Sequence, residues 1–304
     1  MPQGFLVKSV PWQVPVPAQD GYRRLRCLIG WQLIRSAVVN CTIQGRSLRR
    51  FRRASKDQNS GNRKDGLMAP RYLAFDIETA KDVPGDDFNW RLHRPLGISC
   101  AATLTSDTDQ PILWHGRTRE GLPAGQMSRD DALGLVQYLT RMAADGCRVL
   151  TWNGLQFDFD ILAEESGAAA SCKECALGHV DMMFHVFCFL GYPIGLEKAA
   201  QGMGLPGKPP GMSGLMAPKL WAGGHFKEVL GYVAQDVRIA MQIAQACEQR
   251  RKLEWITRKG TRKSMPLTKG WLTVKEALQL PEPDTSWMSA PLPRRDFAAW
   301  LAAI

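Results

Sequence analysis

Residues 72–79 constrain the fold of this 304-residue chain more than any other stretch. Tyr72, Leu73, Ala74 and Phe75 lead into Asp76, Ile77, Glu78 and Thr79, which reads as a buried strand ending in polar residues. Side chains alternate along a strand, so Asp76 and Glu78 point to the same face. Two carboxylates at the end of a hydrophobic strand repel each other and lose hydration. They need a cation, and hard divalent ions such as Mg²⁺ suit oxygen ligands. Taken alone, the pair fits a strand end turned to water equally well.

Two further segments carry comparable patterns. Residues 149–152 form a short apolar strand, Asn153-Gly154 is a strong turn signal, and 157–165 has the apolar spacing of a helix. Asp158 falls in the first turn of that helix, where the dipole favours an acid. Asp160 competes with it, but a two-residue step turns a helix by about 200°, so only one of them faces a given site. The third segment is a helix over 226–249, with Val229, Val233, Val237, Ala240 and Ala244 as its buried stripe. Tyr232 and Asp236 stand four apart and share a neighbouring face.

In that order, Asp76-Ile-Glu78, Asn153-Gly-x-x-Phe-Asp158 and Tyr232-x-x-x-Asp236 resemble the three motifs of the DEDD 3′–5′ exonucleases, in the subgroup with tyrosine in the third motif. The second motif is most similar to that of the proofreading domains of family B DNA polymerases, and it favours Asp158 over Asp160. The resemblance covers about residues 70–250. It implies an α/β, ribonuclease-H-like fold, a mixed sheet flanked by helices, and two divalent metal ions, Mg²⁺ or Mn²⁺. By the same resemblance, Asp76 bridges both ions and Glu78 and Asp236 complete the one that activates water. Asp158 supports the second ion through water, and Tyr232 orients the attacking water. Thr79 and Asn153 contact the terminal nucleotide. The implied activity is hydrolysis of single-stranded DNA ends to nucleoside 5′-monophosphates. An RNA 3′-trimming enzyme of the same fold is the alternative within the class, and a catalytically silent nucleic-acid-binding subunit the alternative outside it. Retention of all four carboxylates and the tyrosine argues against silence, because clustered acids without metal are destabilising. No polymerase segment follows the third motif, so the expected protein is free-standing, or a subunit whose polymerase or repair partner is encoded elsewhere.

The net charge of +10 looks like a nucleic-acid signature until it is mapped. Residues 1–67 hold thirteen Lys/Arg against three Asp, while 68–304 hold 26 basic and 26 acidic side chains, so the whole excess is in the leader. The leader shows no sustained period. A mis-called start, with translation from Met68, is the first expectation; a transit peptide or a disordered basic arm are the others. Residues 68–249 are expected to be the exonuclease domain, and 250–304 a basic hairpin and tail. The longest apolar run, 182–192, has eleven residues including His185, short of the roughly 20 that span a bilayer. No membrane partner is therefore expected. Eight scattered cysteines in a chain this large point to reduced thiols and a cytoplasmic location.

Some patterns are discounted. Residues 202–208 fit G-x-G-x-x-G and G-x-x-x-x-G-K, but Pro209 follows Lys208 and no strand precedes them. A glycine-rich loop is the reading, with Lys208 kept as a phosphate contact. Cys172, Cys175 and His179 match zinc spacing weakly, and His185 reads as a core histidine. In the tail, seven Lys/Arg between 250 and 263 face only Glu254. Residues 253–257 and 261–265 read as a hairpin with Gly260 in its turn, equally a solvated charged surface or a clamp on single-stranded backbone. Trp271, Trp287 and Trp300 are expected to pack the tail onto the domain.

Overall fold

A computed structural model describes residues 70–83, 89–208, 211 and 213–302; the basic leader 1–67 lies outside the described residues. Five strands form one sheet: β1 (Tyr72–Thr79), β2 (Ile98–Thr105), β3 (Ile112–His115), β4 (Arg148–Thr151) and β5 (Val180–Asp181). Their order is β3-β2-β1-β4-β5. β1 and β2 pair antiparallel, as do β2 and β3, whereas β1–β4 and β4–β5 are parallel. This mixed α/β sheet flanked by helices is consistent with the ribonuclease-H-like architecture expected from the motifs.

Side-chain alternation along β1 divides the core. Tyr72 and Ala74 enter a cluster with Val229, Val233 and Val237 of the long helix α7 (Phe226–Arg250). Leu73, Phe75 and Ile77 enter the opposite cluster with α1 (Arg129–Ala144) and α2 (Asp158–Ser166). Each fully buried Leu, Val or Phe contributes about 1.5–3 kcal/mol, so both β1 faces are held by packing on their own helices. At the far end of α7 the Tyr72 hydroxyl donates to Glu248 Oε1 at 2.8 Å, fixing the helix against the strand. The expected stripe of α7 is fully buried.

Connecting elements complete the second layer. They are α3 (Ala169–Gly178), α4 (Met182–Leu190), α5 (Leu196–Met203), α6 (Ala217–Ala222) and, after the hairpin, α8 (Val274–Ala277). The hairpin is β6 (Lys252–Ile256) and β7 (Arg262–Pro266), one residue offset from the sequence reading, with Gly260 at φ +77° in its turn. It lies on α5. A Cβ on Gly202 would come within 2.2 Å of the Trp255 backbone, so this glycine serves helix–hairpin packing. The glycine-rich loop reading is corrected there: residues 202 and 203 close α5, and the loop begins after them. Arg250 and Arg262 donate to the carbonyls of Met203 and Gly202 at 2.8 and 2.5 Å, so part of the basic charge is anchored, while Arg258, Lys259 and Lys263 are exposed. Trp271 and Trp300 are buried as tail anchors; Trp287 is 67% exposed, contrary to expectation. No helix among the described residues is long and apolar enough to cross a membrane.

Candidate active site

The face of β1 that carries Tyr72 and Ala74 also carries Asp76 and Glu78, and α7 covers it. At one end of α7, Tyr232 and Asp236 stand one turn apart above the two acids. Carboxylate oxygens of Asp76, Glu78 and Asp236 lie within 4.8 Å of one another. They open into a cavity of about 530 Å³, within the range of small-ligand sites, ~300–1,000 Å³. Asp158, Thr79, Asn153, Lys208 and Tyr232 also line it. All eight residues singled out from the sequence therefore meet in one cavity.

Asp158 opens α2, and its Oδ1 accepts a hydrogen bond from the Ile77 amide at 2.9 Å. This bond ties the second motif to β1 between the two acids. Asp160 turns away, as the helix phase requires, and pairs with Arg91 at 3.4 Å and with Arg94. The turn between β4 and α2 is held by a residue that the motifs did not flag. Asp181, at the end of β5, accepts from the amides of Asn153 (3.0 Å), Leu155 (2.9 Å) and Phe184 (3.0 Å). Asn153 there adopts φ +78°, a left-handed conformation uncommon for a side chain. An Asp before the apolar run 182–190 is an N-cap signal; its second task, bracing the turn, has no local signature. Asp181→Ala would strand two buried amide donors, of Leu155 and Phe184, and the partly buried one of Asn153. It is expected to lower the unfolding free energy by about 3–5 kcal/mol, read as a lower urea midpoint at unchanged slope. An unchanged midpoint would remove the brace from the account.

A lysine is hydrogen-bonded into the acidic cluster. Lys208 Nζ donates to Tyr232 Oη at 2.6 Å and to Asp236 Oδ2 at 2.5 Å, and sits 4.6 Å from the Tyr232 ring centroid. Its backbone amide donates to Glu197 Oε2 at 2.6 Å. Burial would lower the ammonium pKa, but Asp236 and Tyr232 hold it above the ordinary lysine value. The carboxylates move the other way. Burial, then the neighbouring acids Asp158, Asp236 and Glu78, raises Asp76 well above the usual range. Burial and Asp236 do the same for Glu78. Burial pushes Asp158 up to about 7, against the hydrogen bond from Ile77. Asp236 is also raised by burial, which Lys208 offsets in part. Tyr232 is raised by burial and by Asp236, so its phenol keeps its proton at neutral pH.

These shifts carry a sign for stability. A carboxylate whose folded pKa is raised holds its proton in the fold at pH values where the unfolded chain has lost it. Without divalent cations these acids make the melting temperature fall as pH rises from about 4 towards 7, while His179 and His185, whose pKa values burial lowers to about 4, act in the opposite sense over the lower part of that interval. Added Mg²⁺ should flatten that decline, as measured by calorimetry. A metal-free parent that loses no stability relative to Asp76→Ala as pH rises over the same interval would contradict the clustered burial.

The residues fit a divalent cation. The donors are all oxygens, matching Mg²⁺ or Mn²⁺ rather than softer ions. Asp236 Oδ1 and Asn153 Oδ1 are buried with no hydrogen-bond partner among the described residues. The zinc pattern does not assemble in the same way. His179 is used by Ala176 O at 2.7 Å and Thr151 Oγ1 at 3.0 Å, Cys172 is buried, and Cys175 Sγ lies 3.5 Å from Thr140 Oγ1. His185 is buried, its Nδ1 accepting from the Leu272 amide at 3.3 Å.

No protein-family model and no curated protein matches the chain. Among solved structures, the chain is similar to the family B DNA polymerase from the hyperthermophilic archaeon Pyrobaculum calidifontis, at 18% identity and a TM-score of 0.45. The match covers 60% of this chain and 25% of that one, so the chain spans about a quarter of the polymerase's length.

Proposed function

We propose that the protein is a metal-dependent 3′–5′ exonuclease of the DEDD type, with tyrosine in the third motif, that releases nucleoside 5′-monophosphates from single-stranded DNA ends. The observation that carries this reading is the meeting of four carboxylates and Tyr232, from β1, α2 and α7, in one cavity. Asp76, Glu78 and Asp236 would hold one divalent ion, and Asp76 with Asp158 a second. Bound divalent ions supply charge neutralisation at the phosphodiester and make water a stronger nucleophile.

The chain's own groups supply the rest. The Tyr232 hydroxyl keeps its proton and is oriented by the Lys208 ammonium, so it can hold the attacking water by a hydrogen bond. Thr79 and Asn153, which line the cavity, would fix the terminal nucleotide, and Lys208 would bring positive charge to the phosphate. Water oxygen bonds to phosphorus, the bond to the 3′ oxygen breaks, and that oxygen takes a proton. The products are a 5′-monophosphate and a new 3′-hydroxyl.

Tyr232→Phe is expected to lower turnover by about a hundredfold while leaving oligonucleotide affinity within about threefold. Equal kcat in the two proteins would take Tyr232 out of the chemistry. The reading itself is tested with 5′-labelled single-stranded DNA: stepwise shortening from the 3′ end with release of 5′-mononucleotides is expected, and internal cuts or 3′-phosphates would overturn it.

A further inference from the structure

A second groove, of about 600 Å³, shares Asn153 and Met183 with the catalytic cavity. One side of this groove carries Arg91 and Gln156; the other comes from the C-terminal segment, as Leu292, Asp296, Phe297 and Ala299. That segment is firmly seated. Trp300 Nε1 donates to the Leu155 carbonyl in the second-motif turn at 2.7 Å. The Phe297 ring lies 4.3 Å from that of Phe187 in α4, and Arg294 Nη2 donates to the Cys188 carbonyl at 3.1 Å. The far wall is thereby fixed to the same turn that presents Asn153.

We propose that this groove is the track for the nucleotides 5′ of the scissile bond, with the C-terminal segment as its outer wall; the inference rests on the exonuclease reading. A strand whose 3′ end occupies the cavity has covalent neighbours on its 5′ side only, and they must leave by a path continuous with the cavity. The groove adjoins the cavity at Asn153 and Met183 and is assigned that path. Arg91, whose Nη2 is engaged by Gln156 O and Asp160, offers its remaining guanidinium donors, and Gln156 and Asn153 offer amide donors, of the kind that bind phosphate and sugar oxygens. Half-exposed Leu292 and the thioether of Met183 offer apolar contact to base faces. Asp296, 4.0 Å from Arg295 Nε, puts a carboxylate on the C-terminal wall, which assigns the backbone to the Arg91 side and the bases to the C-terminal segment.

Two exposed positions in that wall allow a test in opposite directions. Ala299→Trp should fill the groove, and Asp296→Lys should remove that carboxylate. The substrates are a thymidine 5′-monophosphate p-nitrophenyl ester, which occupies the terminal-nucleotide site alone, and single-stranded DNA octamers. Ala299→Trp is expected to raise KM for the octamer about tenfold, with ester hydrolysis within about twofold of the parent. Asp296→Lys is expected to lower the octamer KM and to steepen the salt dependence of binding by ~0.7 in the log–log slope. Octamer kinetics unchanged in both variants, with the ester still cleaved, would overturn the groove and leave the exonuclease standing. If neither substrate is cleaved by the parent, the exonuclease reading fails instead. Octamer anisotropy then tests the groove as a single-strand binding site alone, which is overturned unless Ala299→Trp weakens binding and Asp296→Lys tightens it.

Discussion

Asp76→Ala is expected to lose at least about 10³-fold in turnover, equivalent to ~4 kcal/mol of barrier, while single-stranded DNA binding stays within about threefold of the parent. Asp76 shares its strand with Glu78, and both Asp158 and Asp236 lie close enough to raise its pKa. Removing it takes away the one carboxylate assigned to both ions. It also relieves repulsion among the remaining acids, so the metal-free variant should melt no lower than the parent. Rapid single-turnover cleavage in Asp76→Ala would contradict the assignment, and so would loss of activity explained wholly by unfolding.

The second large effect separates neighbours on one helix. Asp158→Asn keeps an acceptor for the Ile77 amide but removes a charge from the cavity, and is expected to reduce kcat by about 10²–10³-fold with the fold intact. Asp160→Asn removes the carboxylate that Arg91 and Arg94 share. Its expected signature is a stability loss of about 1–3 kcal/mol with turnover near that of the parent. Chemical denaturation and steady-state kinetics on the same two variants give both readouts. The reverse pattern would mean that α2 presents its other face to the chemistry.

The parts of this arrangement that could be read from the sequence are those written in local periods. β1 is apolar on both faces because helices cover both, and its period of two places Asp76 and Glu78 together. The helix period of α7 aligns Tyr232 with Asp236 and buries Val229, Val233 and Val237. The 200° step lets only one of Asp158 and Asp160 turn inward, and the resemblance of the second motif picks Asp158. What the sequence did not disclose depends on contacts between distant positions. Asp181 reaches the Asn153–Leu155 amides across the β4–β5 crossover. Lys208 meets Tyr232 and Asp236 24 and 28 residues on, across the loop after α5. Trp300 bonds to Leu155 from 145 residues away. None of these leaves a periodic trace, and Gly202 imitated a phosphate loop because close helix–hairpin packing asks for the same residue.

The most direct measurement is end-labelled single-stranded DNA and RNA incubated with the protein in Mg²⁺, in Mn²⁺ and in excess chelator, with products resolved to single-nucleotide length. The account predicts stepwise 3′-end shortening of DNA with either metal and none in chelator. Degradation that persists in chelator, or intact DNA in both metals, would contradict it; metal-dependent shortening of RNA alone would move the substrate to RNA.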